Sequence, residues 1–167
     1  MAEIVAVHLY AQWERYAEER LTEALVKHSS KFLDSNGIRR MKSIHKNLAL
    51  VFVREGHRYF DFRSTGELMQ KSDRLVGSEN NPLRRLTAQL KSDLDTLGAI
   101  RNHIVHLSDS AGKSYNKRLS TSYGLISSPY VQSFLTAIDR RKSSPARNKE
   151  RIIGLMEILR QAVLATS

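Results

Sequence analysis

The chain has 167 residues, 41% of them hydrophobic, which is enough for one domain with its own core and too many for a disordered chain. It contains no cysteine, which excludes disulfides, thiolate metal sites and a cysteine nucleophile. Lys and Arg number 27 against 17 Asp and Glu, a net charge of +10, so nucleic acid or another polyanion is the favoured partner, with a generally basic surface as the plainer reading.

The first predicted element is a helix over about residues 4–33, since Val5, Leu9, Trp13, Tyr16, Leu21, Ala24 and Phe32 recur at roughly helical spacing. Asn36-Gly37 supplies its stop. A second stripe through Ile38, Met41, Ile44, Leu48 and Val51 ends near Glu55-Gly56. Residues 48–62 also read as a short hairpin, because 48–53 is strand-like and 58–62 alternates. Ser64-Thr65-Gly66-Glu67 has the form of a capping box and opens a helix that stops at Gly77. Asn81-Pro82 is the next start, with Asn as cap and Pro at the first helical position.

From there Leu83, Leu86, Leu90, Leu94, Leu97, Ile100, Ile104 and Leu107 form the cleanest amphipathic stripe in the chain. Residues 108–128, rich in Ser, Gly, Lys and Tyr without periodicity, read as a long loop. Ser128-Pro129 and Ser144-Pro145 mark two further helix starts, and Ile152, Ile153, Met156, Ile158, Leu159 and Val163 lie on the last helix. The fold class expected is all-α: a single domain over residues 1–167, an up-and-down bundle with two long antiparallel core helices.

No apolar run approaches the ~20 residues that cross a bilayer, and Met1-Ala2-Glu3 opens the chain without a basic leader. A cytoplasmic protein with no membrane partner is expected. His8, His28, His45 and His57 show no ligand spacing with carboxylates, so neither a metal site nor a cofactor is expected.

The chemistry-bearing segment is Arg101-Asn102-His103-Ile104-Val105-His106, at the end of the amphipathic stripe. Arginine grips phosphate through a planar fork of donors. Histidine, with an ordinary pKa of about 6.5, moves protons near neutrality. The pair can therefore act on a phosphodiester without a metal. Arg40 and His45 share the spacing, but Met41 after Arg40 belongs to an apolar stripe, whereas polar Asn102 follows Arg101. On a helix, Arg101 lies about 140° from His106, so the tips meet only if the arginine curls back or the last turn unwinds. A twofold dimer offers a second route, by bringing the same helix end across a cleft.

Basic clusters occur at Arg39-Arg40-Lys42, Arg84-Arg85, Lys113-Lys117-Arg118, Arg140-Arg141-Lys142 and Arg147-Lys149-Arg151. Most read as solvated faces. Lys113, Tyr115, Lys117 and Arg118 follow the sextet closely, however, and read as a flexible RNA clamp in which Tyr115 and Tyr123 offer faces for base stacking.

The Arg-Asn-x-x-x-His sextet at a helix end, with the early Trp13-Glu14 pair, resembles the HEPN superfamily, and most of all its RiboL-PSP-HEPN branch, over residues 10–164. The resemblance implies a small all-α domain that dimerises, and in many members a metal-independent ribonuclease of toxin or defence type. It assigns the motif Arg to Arg101, the motif His to His106 and the intervening polar residue to Asn102. Glu14, or second to it Glu18, would support the arginine, and His103 lies close by. Leu107 departs from the small or aromatic residue that many relatives carry after the His. The reaction implied is attack of a ribose 2′-OH on the neighbouring phosphate, with a cognate antitoxin or regulator as a further partner. The alternative is a non-catalytic module of the same fold that binds RNA, a nucleotide or a protein.

Overall fold

The computed structural model describes residues 1–38, 40–125 and 129–167, and among these it is all-helical. Helices α1 (Ala2–Lys27), α2 (Ser29–Ser35), α3 (Lys46–Val53) and α4 (Thr65–Val76) are followed by a 3-10 turn at Pro82–Arg85. Then come α5 (Ala88–His106), α6 (Asp109–Tyr123), α7 (Val131–Thr136) and α8 (Arg151–Thr166). The only pairing of β type among the described residues is one isolated bridge, Ile138 with Glu150. Contacts gather into two compact units: Met1–Gln12 with Thr87–Leu164, and Trp13–Leu86 with Ala165–Ser167.

In the unit built on Trp13–Leu86, α1 buries Trp13, Ala17, Leu21 and Leu25, a row repeating every four residues and therefore one helix face. The helix expected over 4–33 breaks at His28, ahead of Ser29-Ser30, two residues that favour caps over helix interiors. The stop at Asn36-Gly37 stands where the sequence puts it: Gly37 has φ +68°, and the Asn36 side chain donates to the Phe32 carbonyl at 2.8 Å.

The hairpin expected over 48–62 does not form. Residues 46–53 are helix α3, burying Ala49 and Val53 one turn apart, and Glu55 and Gly56 end it with positive φ. The alternation that follows marks burial correctly, since Phe60 and Phe62 are buried with their tilted rings 5.5 Å apart, but no strand pairs with them. Ile38, Met41 and Ile44 lie outside α3, so only Leu48 and Val51 of the second stripe are helical. The capping box forms in part: the Ser64 hydroxyl accepts from the Glu67 N–H at 3.2 Å, while the Glu67 carboxylate reaches one residue beyond the cap and accepts from the Arg63 N–H at 2.8 Å.

In the other unit, α5 and α6 make a helical hairpin across the two residues Leu107 and Ser108. From Thr96–Ser122 to His103–Tyr115 the numbering rises on α5 and falls on α6, so the two helices are antiparallel. The long stripe begins later than Asn81-Pro82. Asn81 caps only the 3-10 turn, Leu86 is extended, and Thr87 caps α5 by accepting the Leu90 N–H at 3.2 Å. The loop expected over 108–128 is a helix through Tyr123. The Ser108 hydroxyl accepts the Ala111 N–H, Asp109 occupies the first turn, and Gly124 closes the helix at φ +66°. Residues 126–128, including Ser128 of the expected Ser128-Pro129 start, lie outside the described residues. The start expected at Ser144-Pro145 is displaced to Arg151, because 144–149 is a turn segment tied by the bridge.

No described helix is long and apolar enough to cross a membrane.

Candidate functional site

The sextet occupies the last turn and a half of α5, held from below by apolar burial. Leu90, Leu94, Leu97 and Ile100 lie in the core. Tyr10 of α1 packs so closely on Gly98 that a β-carbon there would meet its ring at 2.9 Å. The guanidinium of Arg101, one turn further along, lies 6.0 Å from the centre of that ring, at the limit of a cation–π contact. Glycine at 98 thus lets the ring support the arginine.

The helix does not unwind at its end; the arginine curls. Arg101 Nη1 donates to Asn102 Oδ1 at 2.8 Å and lies 3.5 Å from His106 Nε2. A guanidinium only donates, so in the tautomer with its proton on Nδ1 the imidazole turns its lone pair to the arginine, and that lone pair is what a proton acceptor uses. Asn102 sits between the two in projection and steers the guanidinium toward the histidine. One protomer therefore brings Arg101, Asn102 and His106 together without a second copy. His106 is exposed, and Arg101 and Asn102 are half-buried, so a bulky ligand can reach all three.

The other sequence candidates divide. His103 turns toward α6 and stacks on Tyr115 at 4.7 Å, nearly parallel, with its Nδ1 buried against Gly112 and without a hydrogen-bond partner among the described residues. Tyr115 is 1% exposed, edge-on to Phe134, and donates its hydroxyl to the Pro129 carbonyl at 3.2 Å. Burial raises its pKa to about 12. It is a floor for His103 and not a stacking face for a base. Tyr123 is likewise packed, edge-on to Phe134 and under Arg141 at 3.7 Å, with burial raising its pKa to about 12.

Arg118 is held by Asp95 at 3.0 Å, while Lys113 and Lys117 are exposed on α6. The segment expected as a flexible clamp is thus a helix face carrying two exposed lysines. Glu14 is half-buried on α1 in the other unit, and Glu18, the second choice, is bound to Arg54 at 2.6 and 3.0 Å. The duplicate pair Arg40 and His45 lies in non-helical chain; Arg39 is outside the described residues. Among the described residues no group of three or more His, Asp or Glu could hold a metal ion.

Sequence reading missed the αL backbone of Leu107, the residue that ends α5 at φ +46°, ψ +26°. Its side chain is 81% exposed, so the strain is not offset by burial. A bulky residue in this conformation costs about 1–2 kcal/mol, and glycine's freedom in the unfolded chain returns about half of that. Leu107→Gly is therefore expected to raise stability by about 0.5–1 kcal/mol, read as a higher urea midpoint at unchanged slope. An unchanged or lower midpoint would show that the backbone is relaxed there.

Compared with known proteins, the chain matches no family model, no curated protein and no solved structure.

Proposed function

We propose that the chain is a metal-independent endoribonuclease of the HEPN type. The observation that carries this reading is the 3.5 Å approach of Arg101 Nη1 to His106 Nε2 at an accessible helix end of a chain with net charge +10. An incoming phosphate takes the guanidinium donors, which frees the imidazole lone pair beside it. His106 then accepts the proton of a ribose 2′-OH as O2′ bonds to phosphorus. Arg101 stabilises the charge that grows on the phosphoryl oxygens. The O5′–P bond breaks and the 5′-oxygen takes up the proton that His106 accepted, so none is consumed overall. The products are a 2′,3′-cyclic phosphate and a 5′-OH. Asn102 orients the guanidinium. The family resemblance adds a homodimer in which a second such face meets the first, a toxin or defence role in the cytoplasm, and a cognate antitoxin or regulator.

The test is incubation of purified protein with an end-labelled RNA in excess EDTA. Cleavage to cyclic-phosphate ends is expected, with DNA of the same sequence left intact because it lacks the 2′-OH. RNA bound but never cut would instead make the chain a non-catalytic binding module, and cleavage only with added metal would end the proposal.

A further inference from the structure

Beside the Arg101–Asn102–His106 face lies a groove of about 450 Å³, a size typical of small-ligand sites. His103 is on its floor, stacked on the anchored Tyr115. Leu107 and Tyr130, 81% and 88% exposed, border it, and Asn116 and Glu3 supply polar edges. Around the α5 axis His103 is about 60° from His106, so the groove adjoins the proposed phosphate site directly. Lys113 and Lys117 flank Asn116 on the exposed side of α6.

These features define a planar, partly polar guest attached to an anion. An exposed tyrosine ring is a stacking face that any base can use. The Glu3 carboxylate accepts an N–H, and the Asn116 amide both donates and accepts, which suits the edge of a base. Both helices carry cations nearby: Arg101, curled toward His106, on α5, and the two lysines on α6. The net charge of +10 favours an anionic guest here over an uncharged one.

We propose that the groove receives the base of the nucleotide next to the phosphate held by Arg101 and His106, stacked on Tyr130. The phosphate's position rests on the ribonuclease reading; capture of a base does not. The probe is therefore a labelled single-stranded DNA hexamer, which the proposed reaction cannot cut, compared with an abasic hexamer of equal phosphate number. Tyr130→Ala is expected to weaken binding of the hexamer about fivefold or more while leaving the abasic strand unaffected, and Tyr130→Phe to bind as the native protein does.

Equal losses on both strands, or no loss on either, overturn the proposal. So does a Tyr130→Ala protein that changes from dimer to monomer in sedimentation with hexamer affinity unchanged, since the groove is then a joint between copies. A protein that never cuts RNA can still pass this test, and one that cuts RNA can fail it.

Discussion

Replacing His106 by alanine is expected to lower RNA cleavage by about 10²–10⁴-fold, the range that one positioned proton-transfer group supplies. Arg101→Ala is expected to lower it by about 10²–10³-fold, as loss of a charge-stabilising donor does. The two are in contact at 3.5 Å and act on one phosphate, so the double variant should fall little below His106→Ala. Independent, multiplying losses would mean that they do not act as a unit. Arg101→Lys keeps the charge but loses the planar fork, and should fall between native and alanine. His106 is exposed and Arg101 only borders the core at Tyr10, so unfolding free energies should stay within about 1 kcal/mol of native. If both alanine variants cut RNA at the native rate in EDTA, the catalytic assignment is wrong. If both lose cleavage only together with their fold, the pair is structural.

What the sequence made legible follows from where periodicity is strong. The α5 stripe, the capping box at Ser64 and the Asn36-Gly37 stop each rest on several residues agreeing, and the all-α class follows from them. Helix α6 was hidden because its buried stripe consists of Tyr115 and Leu119 amid residues of weak helix propensity, so packing on α5 decides it. Its two ends were nonetheless written in Ser108-Asp109 and Gly124. Asn81-Pro82 is a sound start signal that yields only one 3-10 turn, because the chain straightens at Leu86 before Thr87 caps again. The Arg101–His106 approach was posed correctly as a choice between curling, unwinding and dimerisation. Spacing cannot choose among them, since the answer depends on the Asn102 amide and on the ring of Tyr10. Arg140-Arg141-Lys142 was read as a solvated face, yet Asp93 on the apolar face of α5 was a signal that a cation must come to it.

That cation is Arg141, and the pair it makes with Asp139 carries the largest expected effect on stability. Asp139 is 1% exposed and accepts from the Arg141 guanidinium at 2.8–3.2 Å and from the Arg141 N–H at 3.1 Å. The guanidinium also donates to the Ser122 carbonyl, lies on the Tyr123 ring and stands 3.7 Å from Asp93, so it ties the end of α6 to the 137–151 segment and α5. Burial opposes ionisation of Asp139, but the Arg141 hydrogen bonds outweigh it and hold its pKa below the usual carboxylate value. For Asp93 burial wins over Gln89 and Arg141, and its pKa is raised.

The two carboxylates therefore act in opposite senses. Asp139 stabilises the fold above its unfolded pKa of about 3.9, and that contribution disappears as pH falls through its lower folded value. Asp93 contributes stability that is fully present below its unfolded pKa and is lost as pH rises through its higher folded value. Asp139→Asn leaves the half-buried guanidinium without its main partner and is expected to cost about 3–5 kcal/mol near neutrality, measured by urea unfolding. It should also reduce the native loss of stability below about pH 4, since one buried contributor is gone while Glu79 and Glu157, also held below the usual carboxylate value by Lys31 and Arg160, remain. Asp93→Asn, which keeps the shape and removes an unfavourable charge, should cost less than about 1 kcal/mol. Equal costs for the two variants, or an acid limb undiminished in Asp139→Asn, would place the anchoring of the 137–151 segment elsewhere.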